Sequence, residues 1–240
     1  PAEIGKNMQA AAPLVGDVKV ILKQILERGA PVTDSAAWLE ELKDYRKAEL
    51  SRVFPQREGY VFPGTVMRKL GRKLDEDAIV SVDVGQNQLF ACKYLPQKKG
   101  RLLTSGGLGT MGYALPAGIG AKVADPEKQN IVICGDGSFQ MAMNELSAIR
   151  CGDMDVKIVL FRNHMLGLVH QIQCKAPYHG PFGVALDGSP DFETIAAAYR
   201  VPCIQVGDED HLDEALDRFL GTQGSCLLIC EVHPDVGTND

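Results

Sequence analysis

The chain has 240 residues, 45% hydrophobic, 23% charged and 6% aromatic, with 25 Gly and 13 Pro; this globular composition excludes a collagen-like, coiled-coil or disordered polypeptide. Lys and Arg number 25 against 31 Asp and Glu, a net charge of −6 with no basic run, so neither nucleic acid nor an anionic membrane is expected as a partner. Apolar runs such as Ile131-Val132-Ile133 fall far short of the ~20 residues of a membrane span, and the N-terminal residues lack the basic-then-apolar order of a secretory signal.

In chain order, the apolar spacing predicts an amphipathic helix over residues 15–26 and a second over the stretch containing Trp38, Leu39, Leu42 and Tyr45, capped by Asp34-Ser35. Neither carries a chemical signature, and residues 54–59 read as a loop. From Phe62 onward strands alternate with helices. Pro63-Gly64 opens a helix running through Leu74, a strand covers 78–84, a helix lies near 87–94, a short strand at 102–104 and a helix at 115–123. A strand at 130–134, a helix at 139–150, a strand at 156–162 and a short helix near 166–173 follow. The tail repeats the unit, with helices at 192–199 and 211–220 and strands at 201–206 and 226–232. Strands of continuous apolar character separated by helices predict an α/β fold, a mostly parallel sheet with helices on both faces. The seven cysteines are odd in number, form no CxxC and sit mostly in apolar runs. They read as small core residues of a reduced, cytoplasmic compartment.

Ligands of such sheets bind beyond the carboxyl ends of the strands. Three of these ends carry unusual residues: Asp83-Val84-Gly85-Gln86-Asn87-Gln88, Gly135-Asp136-Gly137-Ser138, and Arg162-Asn163-His164-Met165-Leu166-Gly167. The glycines around Asp136 let backbone approach a diphosphate, whose charges would repel a bare carboxylate unless a divalent cation lies between them. Magnesium prefers oxygen ligands in octahedral geometry, which Asp136, the amide oxygen of Asn163 and a backbone carbonyl near Met165 could share with phosphate and water. A competing reading starts from the GxGxxG string at Gly107-Leu108-Gly109-Thr110-Met111-Gly112, with Asp136 as the ribose-binding acid of a dinucleotide fold. It leaves the glycines flanking Asp136 and the strand end at Asn163 unexplained.

Gly135-Asp136-Gly137 separated by 24 residues from Arg162-Asn163 resembles the signature of thiamine diphosphate enzymes, with Arg162 in place of the first Asn of the usual pair. Asp83-Val84-Gly85-Gln86, the run from Leu103 to Tyr113, Leu115-Pro116-Ala117 and Leu166-Gly167-Leu168-Val169 are similar to the C-terminal, pyrophosphate-binding part of acetolactate (acetohydroxyacid) synthase large subunits. The resemblance runs through nearly the whole chain and is most specific over residues 81–169. It implies Mg²⁺ held by Asp136, Asn163 and the Met165 carbonyl, and a diphosphate held by Gln86, Asn87, Gly137 and Ser138. Val84, Gly85, Gly135, Leu166 and Gly167 complete the implied cofactor-binding set. Gly109 would receive the aminopyrimidine on its carbonyl and Met111 would be the apolar wedge that bends the cofactor, the two positions taken as catalytic. Met111 could instead be plain core, and Gln86 and Asn87 could merely cap the next helix. Asn87 stands where the synthases usually have His, and Ile172 where those favouring 2-oxobutyrate have Trp. His164 and His170 read as surface or cleft-lining residues without a proton-transfer role.

The implied activity is decarboxylation of a 2-oxo acid such as pyruvate and ligation of the resulting carbanion to a second 2-oxo acid. Another 2-oxo acid decarboxylase, a glyoxylate carboligase, or a non-catalytic cofactor-binding module remains open. The expected organisation is the end of a preceding middle domain plus linker helices over residues 1–60, the thiamine diphosphate/Mg²⁺ domain over 61–232 and a tail over 233–240. The family's activating glutamate belongs to a separate pyrimidine-binding domain, usually of a partner subunit. Its absence here implies a fragment that turns over poorly alone and a homo-oligomeric parent, a dimer or tetramer.

Overall fold

In the computed structural model, residues 2–29, 34–54, 56–96, 98–175 and 180–238 are described. The chain divides into two units, Pro1–Arg52 and Val53–Asp240. The first contains α1 (Val18–Arg28) and α2 (Ala36–Ser51). α1 begins three residues later than its apolar spacing suggests, because the Asp17 carboxylate accepts the Val20 N–H at 3.1 Å and fixes the cap there. At α2 the capping carboxylate is that of Asp34, which accepts the Ala36 N–H at 3.0 Å. No residue of α1 is buried, and Leu26 and Trp38 are exposed.

The second unit opens at Val53, ahead of the expected boundary at residue 61. Phe54 stacks on Phe62 at 4.0 Å between ring centroids and meets the Tyr94 edge at 5.2 Å, so it belongs to the core rather than to a free loop. Pro55, within that expected loop, lies outside the described residues, as do Pro1, at the start of the N-terminal stretch, and residues 239–240 of the expected tail. The elements follow in order: α3 (Pro63–Lys73), β1 (Ile79–Val82), α4 (Gln86–Tyr94), β2 (Arg101–Leu103), α5 (Ala114–Ala124) and β3 (Asn130–Gly135). Next come α6 (Asp136–Ala142), a 3₁₀ turn (Met143–Glu145), α7 (Leu146–Cys151), β4 (Lys157–Arg162), α8 (Gly167–Gln173), α9 (Phe192–Ala198), β5 (Cys203–Val206), α10 (Leu212–Gly221) and β6 (Cys226–Glu231). The single helix expected over 139–150 is thus two helices joined by a 3₁₀ turn, and the first begins at Asp136 itself.

All strand pairs are parallel, in the order β2-β1-β3-β4-β6-β5. Alternate residues of the central strands enter two cores. Ile131, Ile133, Val159, Phe161 and Leu228 pack with α3, α4 and α10, while Val132, Ile158, Leu160, Leu227 and Ile229 pack with α5, α6, α7 and α9. Burial on both faces is the physical reason that the strands read as unbroken apolar runs. Lys69 and Lys73 tie α3 to α10 through Asp213 and Asp217, at 2.8 and 2.6 Å.

β1 leads to β2 on one side, whereas the neighbouring β3 leads to β4 on the other. Their carboxyl ends therefore diverge onto opposite faces and leave a crevice, the topological switch point of an open α/β sheet. The cysteines are all free; Cys134, Cys226 and Cys230 are buried and Cys203 is half-buried, but Cys92, Cys151 and Cys174 are exposed rather than core residues. Among the described residues no helix is long and apolar enough to cross a membrane.

Candidate cofactor site at the switch point

A cavity of about 340 Å³ opens over the carboxyl ends of β1, β3 and β4, and every position singled out in the sequence as cofactor- or metal-binding lies on its wall. Its size is at the lower end of the roughly 300–1,000 Å³ usual for small-molecule sites. Phe90 and Phe161, both buried, line it from the core side, which the sequence reading did not anticipate.

At the β3 end the Asp136 carboxylate is 1% exposed. Its Oδ2 accepts the backbone N–H groups of Asn163 (3.1 Å) and His164 (2.7 Å), and its Oδ1 that of Gly137 (2.9 Å). Burial raises its pKa above the ordinary carboxylate value, and the three amide hydrogen bonds oppose that rise. His164 has φ +58°, a left-handed backbone that turns the chain so that two successive amides reach the same oxygen. Oδ2 is thereby saturated, whereas Oδ1 keeps a lone pair.

The Asn163 side chain receives the Met165 N–H on its Oδ1 at 3.2 Å. Residues 164–166 pair antiparallel with 184–186 through Leu166 N–H to the Val184 carbonyl and Leu186 N–H to the His164 carbonyl, both 2.8 Å. That pairing leaves the Met165 carbonyl outside the ladder. Asp136, Asn163 and Met165 together offer a carboxylate, an amide and a carbonyl, an all-oxygen set suited to magnesium. Among the described residues no cluster of three or more His, Cys, Asp or Glu exists, so this mixed set is the candidate cation site.

Glycines shape the rest. A Cβ at Gly135 would stand 2.9 Å from Asn87 Nδ2, and one at Gly137 would lie 2.6 Å from Leu166 Cδ2 and 3.3 Å from the Met111 methyl. Backbone and the Asn87 amide therefore line one part of the cavity, and Met111 with Leu166 an apolar part. At Gly167 a Cβ would come within 2.1 Å of Gln86 Oε1 and 2.8 Å of Asn163 Nδ2. The Gly109 N–H donates to the Ser105 carbonyl at 3.0 Å in a turn where Gly109 takes φ +64°, a conformation glycine adopts without strain.

Two polar residues are engaged within the chain. Gln86 Nε2 donates to the Val236 carbonyl (2.8 Å) and to Gln171 Oε1 (3.2 Å), which commits both of its N–H bonds. The Ser138 hydroxyl donates to the Gly135 carbonyl and accepts the Gly135 N–H, each at 3.2 Å. The segment expected as a tail is packed here as well: Val236 is buried, and Gln171 bonds Thr238. Ile172 is exposed on α8 and does not line the cavity.

The chain matches the family described as thiamine pyrophosphate enzyme, C-terminal TPP binding domain, over residues 83–230, from the end of β1 into β6. It belongs to the thiamine pyrophosphate enzyme family. Within that family it is 35% identical to the acetolactate synthase large subunit of Cyanidium caldarium over 240 residues, 97% of this chain and 40% of the relative. It is 34% identical to that of Lactococcus lactis, over 90% of this chain and 37% of the relative, and 36% identical to a probable acetolactate synthase large subunit of Methanocaldococcus jannaschii, over 98% and 41%. The chain thus spans about two fifths of the length of these relatives. Its six-stranded parallel sheet with helices on both faces is an α/β fold consistent with the TPP-binding domain, and the cavity at its switch point lies within the matched residues apart from Pro63 and Val232.

Proposed function

We propose that this chain is the magnesium- and thiamine diphosphate-binding part of an acetolactate synthase-like carboligase, which decarboxylates a 2-oxo acid such as pyruvate and joins the remaining fragment to a second 2-oxo acid. The observation that carries the reading is the placement of Asp136, Asn163 and Met165 on one cavity wall, linked by backbone hydrogen bonds and beside the Gly135–Gly137 cradle. Thiamine diphosphate, when bound, supplies an acidic ring carbon that adds to the 2-oxo acid and takes up the electron pair released with CO₂.

This chain's residues bind and orient. Asp136, Asn163 and Met165 would hold Mg²⁺ and through it the diphosphate, and Asn87 would donate a hydrogen bond to that group. The commitment of Gln86 to Val236 and Gln171 supports a role for Gln86 in fixing the wall rather than in gripping phosphate directly. Met111 and Leu166 would press on the rings and keep water from that side, and Gly109 would orient the aminopyrimidine. The activating glutamate would come from a pyrimidine-binding domain of a partner copy, so a homo-oligomeric parent is part of the proposal.

Calorimetry of the chain with thiamine diphosphate tests the binding half. Heat of binding is expected with Mg²⁺ and none with EDTA, and Asp136→Asn is expected to weaken Mg²⁺-dependent binding by at least about tenfold, since a charge-assisted ligand is lost. Equal binding with and without the metal would reject the site. For the chemistry, the chain alone is expected to turn over pyruvate poorly. Product analysis of the parent protein with pyruvate, 2-oxobutyrate and glyoxylate then separates acetolactate formation from simple decarboxylation or glyoxylate ligation.

A further inference from the structure

Asp83 is the first residue past β1, and its carboxylate is 1% exposed. It does not reach the cavity wall, yet three consecutive backbone amides converge on it. Its Oδ1 accepts from Gly112 (3.0 Å) and Tyr113 (3.2 Å), and its Oδ2 from Ala114 (3.3 Å). Ala114 opens α5, and Tyr113 at the cap position supplies no side-chain hydrogen bond of its own. The helix is capped instead from a strand about thirty residues earlier in the chain, a long-range version of the usual local cap. Among the described residues no cationic side chain acts on Asp83; its carboxylate is met by these amides, by that of Val84 and by the positive end of α5.

The location gives the clamp its meaning. Val84, Gly85, Gln86 and Asn87, immediately after Asp83, form one wall of the cavity; Gly109 and Met111, immediately before the three bound amides, form another. The segment from Gly106 to Gly112 contains four glycines and would otherwise be loosely placed. Met111 lies between two anchors: Ser105 Oγ accepts the Thr110 N–H at 3.1 Å on one side, and Asp83 holds Gly112 on the other.

We infer that Asp83 is a positioning residue that fixes the Met111-bearing loop against the β1 end, and so sets the distance between the part of the cavity that grips the cofactor's rings and the part that grips its diphosphate. The inference rests on the reading of the cavity as a thiamine diphosphate site. Asp83→Asn is the discriminating change, because it keeps the shape but turns an N–H donor towards an amide that needs an acceptor.

The experiment compares two probes on the intact chain: Mg²⁺ with thiamine diphosphate, and Mg²⁺ with inorganic pyrophosphate, which lacks the rings. Asp83→Asn is expected to weaken the first by about tenfold or more and to leave the second unchanged, since Asp136, Asn163 and Met165 are untouched. The loss is also expected to shrink when Met111→Ala is already present, because the two residues then share one effect. A parallel loss for both probes, or no loss for either, overturns the positioning role. Should Asp83→Asn fail to fold by far-UV circular dichroism, Asp83→Glu, which keeps the charge and shifts it by one methylene, is put through the same comparison with the same expected split. If the unsubstituted chain binds neither probe with Mg²⁺, the cofactor reading falls and this inference with it; if it binds both, only Asp83 is at stake.

Discussion

Gly167 illustrates how one absent side chain organises several polar groups. Its Cα occupies the gap between Gln86 and Asn163, whose amides face each other at 3.5 Å, and any Cβ there would overlap Gln86 Oε1. Gly167→Ala must displace Gln86, Asn163 or the start of α8, and Asn163 carries both a proposed metal oxygen and the bond to the Met165 N–H. The expected result is an about tenfold or greater loss of Mg²⁺-dependent thiamine diphosphate affinity with an unchanged far-UV spectrum, measured by titration calorimetry. The same scale explains why Asp136 tolerates burial: three amides surround its carboxylate and offset part of the desolvation that raises its pKa.

Individual elements show how ends are fixed and what the sequence could reveal of them. Ahead of α10, Asp208 accepts the His211 N–H at 2.9 Å and meets His211 Nδ1 at 2.7 Å. The bond with Asp208 raises the His211 pKa above 6.5, and the His211 amide lowers that of Asp208 below 3.8. A raised histidine contributes stability that is fully present below 6.5 and is lost as pH climbs through its folded-state value; a depressed aspartate contributes above 3.8 and loses its share on acidification. An NMR titration of the His211 ring is expected to give a pKa above 6.5 that returns towards that value in Asp208→Asn. The central strands were legible because burial on both faces writes them as continuous apolar runs. The break between α6 and α7 was not, because Phe139, Ala142, Leu146 and Ile149 keep helical spacing across it and all enter the same core. At the cavity, Asp136 and Asn163 could be found because each directly follows a strand. The clamp from Asp83 to Gly112 and the bond from Gln86 to Val236 join residues 29 and 150 positions apart, a relation that no local pattern encodes.

At the scale of the molecule, the second unit has two cores separated by one sheet, and the strands that support the cavity belong to both. Leu228, fully buried in β6 between β4 and β5, packs in the core that also holds Phe90 and Phe161 below the cavity. Leu228→Ala is expected to cost about 2–5 kcal/mol in urea denaturation, the usual range for a buried leucine whose surroundings cannot collapse into the space. The seven sulfhydryls are divided by the same architecture. Burial pushes the Cys230 thiol well up and that of Cys203 up to about 12, and burial raises Cys134 as well, with the carboxylates of Asp83 and Asp136 adding to it. A colorimetric thiol reagent should therefore count three fast groups on the native chain, Cys92, Cys151 and Cys174, and all seven in denaturant. Cys134 precedes Gly135 on the strand that ends at the cavity and lies in the core beneath it, so the rate at which it becomes labelled reports how often that part of the interior is exposed to solvent.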